Sequence, residues 1–205
     1  MIAVGLVAKT AAGKGTVANL LEDELKKLKL SVSRVRFSDS LRDFLQELRK
    51  RGMGFPISKH TLISVAEAGR AAFTPDFLAQ AAIRRTNERS DKDICIWDGL
   101  RWPEEDMRAL RSFKNNQLIA IEAEDGTRYK RFVKRKENDD DDKMSFGDFT
   151  AMESRDTEKF IPEIMEESDW HIDNNKDSKI GIYLGPIKEI KKIARALKKF
   201  HTQYE

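Results

Sequence analysis

Met1-Ile-Ala-Val-Gly-Leu-Val-Ala-Lys-Thr-Ala-Ala-Gly-Lys-Gly-Thr16 opens the chain with an apolar run that gives way to small residues around a lysine. The run reads as a buried strand, and the segment that follows it, Thr16-Val-Ala-Asn-Leu-Leu-Glu-Asp-Glu-Leu25, has helical spacing. The connection between them puts Gly13, Lys14 and Thr16 where a phosphate-cradling loop requires them. In such a loop successive backbone N–H groups surround a phosphate, the lysine reaches the outer phosphates, and the hydroxyl sits on Mg²⁺. Two positions depart from the pattern. Ala8 stands where the consensus has its first glycine, and Ala11 where many such loops carry a second. A Cβ at either point alters the cradle.

Composition narrows the setting. The 205 residues suit one α/β domain, residues 1–205, large enough to bury a core. The 38 Lys+Arg against 35 Asp+Glu leave a net charge of only +3, so bulk charge calls for neither a nucleic acid nor a membrane partner. The single cysteine, Cys95, lies in an apolar run; it forms no internal disulfide and reads as a small buried hydrophobe in a reducing compartment. The first apolar run is broken at Lys9 and lacks a basic flank, and no later run approaches the ~20 apolar residues of a membrane span. A soluble, cytoplasmic protein is the expectation, with its oligomeric state open.

Farther along, Ser31-Val-Ser-Arg-Val-Arg-Phe37 alternates as a strand does and ends at Ser38-Asp39. Asp39 thus falls at the carboxyl end of a strand, where open α/β sheets bind ligands. From Leu41 to Arg89 the pattern is helical, with breaks at Gly52-Met-Gly54-Phe-Pro56 and Thr74-Pro75, the latter a helix start of the cap-then-proline kind, and residues of about 39–90 read as a helical flap over an acceptor. Asp93-Ile-Cys-Ile-Trp-Asp98 predicts a short buried strand, and Pro103 a helix reaching about Phe113. Gln117–Ala123 and Ser168–Asp173 predict further strands, and Pro186–Phe200 a basic amphipathic helix.

Residues of about 127–157 differ in character. Arg128, Lys130, Arg131, Lys134, Arg135 and Lys136 precede Asn138-Asp-Asp-Asp-Asp142, and a polar stretch ends at Glu153-Ser-Arg155-Asp156. Few apolar anchors and many cations read as a mobile lid. The four consecutive carboxylates lack the spaced ligands of a cation site and read as a solvated loop tip. His60, His171 and His201 show no metal-ligand spacing. Strands alternating with helices predict an α/β, three-layer fold with a central parallel sheet, the flap and lid being insertions.

Phosphoryl transfer asks a protein chiefly to align two substrates and neutralise their charge. Cations stand at each place this needs: Lys14 in the loop, Arg42 and Arg70 in the flap, Arg101 after the third strand, and Arg131, Arg135 and Arg155 in the lid. The chain resembles the P-loop nucleoside and deoxynucleoside monophosphate kinases, within the adenylate kinase and dephospho-CoA kinase superfamily. The resemblance rests on Gly13-Lys-Gly-Thr16, Phe37-Ser-Asp-Ser-Leu-Arg42, Glu67-Ala-Gly-Arg70, Asp98-Gly-Leu-Arg101, the basic run from Arg128 to Arg135, and Arg155-Asp156. It implies ATP bound by Lys9, Thr10, Ala11, Ala12, Gly13, Lys14, Gly15 and Thr16, with Mg²⁺ held at Thr16 and Asp98. It implies an acceptor gripped by Asp39, Arg42, Arg70 and Arg101, and transfer served by Lys14, Asp98, Arg135 and Arg155. Arg128 and Arg131 read as solvent-facing. The expected reaction moves the ATP γ-phosphate to a nucleotide phosphate. Transfer to a ribose hydroxyl, with Asp39 taking its proton as in dephospho-CoA kinases, is the alternative, as is a nucleotide-dependent binding protein without turnover.

Overall fold

The computed structural model describes residues 1–57, 59–135, 144–153, 158–175 and 186–203. Strand β1 (Ile2–Ala8) is buried along its whole length, as befits a strand covered on both faces. It pairs in parallel with β3 (Ile94–Asp98) on one side and β4 (Asn116–Glu122) on the other. Strand β2 (Val32–Arg36) adds in parallel outside β3, and β5 (Trp170–Asp173) outside β4, giving the order β2-β3-β1-β4-β5. The expected strands are all present, with ends moved by one or two residues. The chain leaves β1 toward β2 and β3 but later returns past β1 to β4, so the strand order reverses at β1. The crevice outside the carboxyl ends there is where sheets of this kind bind ligands.

Alternation along β1 splits the core into two layers. Ile2, Val4, Leu6 and Ala8 meet Val17, Ala18, Leu21 and Leu25 of helix α1 (Lys14–Lys27) and Ile190, Ile193, Ala194 and Leu197 of the last helix, Ile187–Thr202. The lysines of that last helix lie off this apolar stripe. On the other face Ala3 and Val7 join Cys95 and Trp97 of β3, with α2 (Phe37–Lys50) and α4 (Phe77–Asn87) packed above them. Helix α3 (Lys59–Ala72) lies between α2 and α4 in the chain, within the stretch expected to form the flap. Cys95 is a buried free thiol, as expected. No described helix is long and apolar enough to cross a membrane.

Two local expectations change. The predicted helix from Pro103 to Phe113 is a π-helical turn at Pro103–Met107 followed by a short α5 (Arg108–Arg111). Here Met107 N–H donates to the carbonyl of Trp102, five residues back (3.1 Å), and Asp106 turns inward to accept from the N–H groups of Arg101 (2.9 Å) and Trp102 (3.2 Å). The helix expected at Thr74-Pro75 starts later, at Phe77, because the Pro75 carbonyl is taken by the Arg70 guanidinium. The lid calls lie partly outside the described residues: Arg155 and the Asp139–Asp142 run are among those not described. Flanking them are α6 (Asp125–Arg135) and α7 (Phe146–Met152), followed by α8 (Ile161–Glu166); the last helix is α9.

Candidate phosphate-binding site

The loop between β1 and α1 has the backbone of a cradle. Gly13 is left-handed (φ 93°), and so is Ala11 (φ 61°), which carries a Cβ there at a cost of roughly 1–2 kcal/mol. Ala11 thus keeps the conformation that a glycine adopts freely. Ala8 belongs to β1 and to the core, with no unusual φ. At Gly13 a side chain is excluded twice, by its φ and because its Cβ would collide with the amide nitrogen of Asn174. Nothing lies within 4 Å of where a Cβ on Gly15 would stand, so that side of the loop is open.

Helix α1 begins without a side-chain cap and without an acidic residue in its first turn. Its first N–H groups lack intrahelical acceptors by geometry, and the helix dipole adds partial positive charge, so this end favours an anion. Thr16 sits half-buried in the same turn. Lys9, at the start of the loop, is 3.5 Å from Glu153.

Asp98 ends β3 opposite Leu6 of β1, which brings its carboxylate under the loop. Oδ1 accepts from Lys14 Nζ; Oδ2 accepts from Arg34 Nε (3.1 Å) and Nη2, and Arg36 Nε lies 3.7 Å away. Burial raises the Asp98 pKa, but the charges and hydrogen bonds of Lys14 and Arg34 outweigh it and hold the group below the usual carboxylate range. Burial lowers the Lys14 pKa, with Arg101 and Arg34 adding to the fall and Asp98 opposing it. Glu22 lies 3.6 Å from Arg34 Nη1, so two carboxylates stand among three cations and the corner keeps one positive charge to offer a ligand. Arg34 and Arg36 escaped the sequence reading because an arginine in an alternating strand looks like its solvent face. Their position at the carboxyl end of β2 is the signal that distinguishes them.

The other predicted residues fall in two groups. Arg101 lies beside Lys14, paired through Nη1 with the buried carboxylate of Glu158. Arg70 stacks on Trp102, 4.5 Å from the ring centre, with Nη2 3.7 Å from Asp106. Asp39, in the first turn of α2, accepts from the Arg36 N–H (3.4 Å) and so caps the helix. Arg42 is exposed on α2, and Arg135 is exposed at the end of α6.

Arg128 does not face water, and Arg131 is half-buried. Arg128 is 0% exposed and gives hydrogen bonds to the carbonyls of Thr10 (3.0 Å) and Ala123 (3.2 Å), to Asp125 (2.6 Å) and to both oxygens of Glu153. Arg131 Nη2 donates to the carbonyl of Asn174 (2.8 Å). Asn174, itself 1% exposed just beyond β5, donates from Nδ2 to the carbonyl of Ala12 (2.7 Å). Among the described residues no group of three His, Cys, Asp or Glu side chains is placed to hold a metal by itself.

The parallel sheet in this order, with a glycine-lysine cradle between its central strand and first helix, is the P-loop kinase fold. No protein-family model matches the chain. Among curated proteins it is similar to a UPF0200 protein of Methanothermobacter thermautotrophicus, 25% identical over 197 residues, covering 96% of this chain and 89% of that one. Among solved structures it is similar to TT1252 from Thermus thermophilus (TM-score 0.58, 16% identity, 95% and 96% covered) and to shikimate kinase from Bacteroides thetaiotaomicron (0.55, 11%, 97% and 98%). Shikimate kinase from Acinetobacter baumannii, solved with shikimate, is similar at TM-score 0.51 and 12% identity, with 100% and 95% covered. At these identities the likeness to solved structures is one of fold.

Proposed function

We propose that the protein is an ATP-dependent phosphotransferase whose acceptor is a nucleoside or deoxynucleoside monophosphate. The observation that carries the proposal is the uncapped start of α1 behind a left-handed loop, with Lys14 held ready by Asp98. Phosphate oxygens satisfy the N–H groups of this turn, and Lys14 exchanges Asp98 for the outer phosphates. The oxygen donors Thr16 and Asp98 fit Mg²⁺, which is commonly held by one or two protein oxygens together with substrate phosphates. Bound there, the ion neutralises phosphate charge. Arg34, Arg36 and Arg101 face the acceptor side of Asp98, where a guanidinium fork suits a phosphate. Arg42 and Arg70 are the flap cations for that acceptor, and Arg135 and Arg155 the lid cations for the transferring group.

Asp39 favours a phosphate acceptor over a hydroxyl. Its carboxylate caps α2, whereas a hydroxyl acceptor profits from a free general base. The second reading, a hydroxyl acceptor, is supported by the two shikimate kinases among the neighbours of similar fold. Incubation with ATP, Mg²⁺ and a panel of monophosphates, dephospho-CoA and shikimate, with ADP measured, separates the two. We expect ADP release to rise with a monophosphate and to vanish in Lys14→Ala. Stimulation by a hydroxyl acceptor alone selects the second reading, and no stimulation by any acceptor removes both.

A further inference from the structure

Ala11 is flanked by two residues whose carbonyls are both held from outside the loop, while the peptide directly after it is held within the loop by Ala12 N–H donating to the Lys9 carbonyl (3.1 Å). The Thr10 carbonyl takes Arg128 Nη1, 118 positions along the chain, and the Ala12 carbonyl takes Asn174 Nδ2, 162 positions along. A trans peptide points its N–H opposite to its carbonyl. With the Thr10 carbonyl drawn to Arg128 and the Ala12 carbonyl to Asn174, the N–H groups of Ala11 and Gly13 therefore point away from those two side chains. A left-handed residue with a Cβ persists only where its surroundings over-determine it, and here two buried donors add to the loop's own bond from Ala12 N–H to the Lys9 carbonyl.

We infer that Arg128 and Asn174 are positioning residues for the nucleotide phosphates, fixing the Thr10–Ala11 and Ala12–Gly13 peptides so that the loop holds its cradle without a glycine at position 11. The inference rests on reading the loop as a nucleotide cradle. Arg128 does more than hold Thr10. Its bonds to Asp125 and Glu153 join α6 and the end of α7, so the base of the lid and the cradle share one guanidinium.

The test is a cycle of Asn174→Ala, Ala11→Gly and the double variant, each confirmed as folded by its melting curve. Amide hydrogen exchange across residues 9–17 is read on the protein alone, and ADP affinity by calorimetry. Asn174→Ala is expected to speed exchange and weaken ADP binding about tenfold, the scale of a released left-handed alanine. Ala11→Gly should restore most of that loss, yet change the parent protein's ADP affinity by less than about threefold. Equal effects of Ala11→Gly in both backgrounds, or wild-type exchange in Asn174→Ala, would overturn the inference. Arg128→Lys should speed exchange in residues 9–17 as well as in 146–153; loosening of 146–153 alone would reduce Arg128 to a lid tie and overturn its part. If the parent protein binds no ADP, the nucleotide reading fails, and the exchange cycle still decides whether the two side chains hold the loop.

Discussion

Asp106 is a carboxyl group with almost no water around it, 1% exposed. Burial pushes its pKa up to about 6, against the N–H groups of Arg101 and Trp102 and the charge of Arg70, with Glu105 adding to the rise. The folded value lies above the unfolded 3.8, so between these limits the folded chain binds the extra proton. Stability from this group is therefore greatest at low pH and declines as pH rises through about 4 to 6, by on the order of 3 kcal/mol. Asp106→Asn should raise the melting temperature at pH 8 and lose that gain near pH 4.5; equal gains at both values would show that the charge is not the cause. Asp98 has the opposite sign: its pKa is lowered, and what it contributes is lost as pH falls below the ordinary carboxylate range. Arg101 is a different kind of test, since truncation leaves Glu158 buried without this guanidinium. Arg101→Ala should cost roughly 3 kcal/mol in stability. In the Glu158→Gln background, where that penalty is relieved, Arg101→Ala should raise KM for the acceptor far more than for ATP. Equal rises would place this arginine elsewhere in the mechanism.

At the scale of elements, the described parts of the stretch expected to form a lid are better anchored than their composition suggests. Tyr129 and Phe132 of α6 meet Phe146 and Phe149 of α7 at ring distances of 5.2–5.8 Å, and Phe149 is fully buried. Phe149→Ala should destabilise the fold by about 3–5 kcal/mol, and a denaturation midpoint within error of the parent would contradict this packing. Four aromatics scattered through a basic, acidic and polar stretch leave little periodicity to read. Arg128 was illegible for a related reason: it shares the inward face of α6 with Phe132, one turn on, and its partners Glu153 and Thr10 are remote in sequence. Whether a charge is buried depends on where its counter-charge arrives. By contrast, β1, the cradle and Asp98 were readable, because an all-apolar strand followed by Gly-Lys-Gly-Thr leaves few other conformations. The π-helical turn at Pro103 goes with the Asp106 carboxylate folding back on the N–H groups of Arg101 and Trp102, a side-chain contact that a proline start does not reveal.

Across the whole molecule, strand order was beyond the sequence because every strand pair is parallel and each is joined by a long crossover. The cradle lies among all of these elements, so a ligand seated in it should stabilise the folded chain as one unit. ATP with Mg²⁺ at about 100 times Kd should add roughly 2.7 kcal/mol, a rise of about 5–10 °C in Tm, and Lys14→Ala should abolish most of it. An unchanged Tm in the parent protein would argue against the site. The connection from Thr10 to Arg128 and from Ala12 to Asn174 also bears on how the chain is made. The cradle's own residues are synthesised well before its second external support, Asn174, which follows about 8–30 s later at ordinary elongation rates. During that interval the nascent chain carries the complete motif without its finished shape, and the proposed capture of a nucleotide has to wait for Asn174.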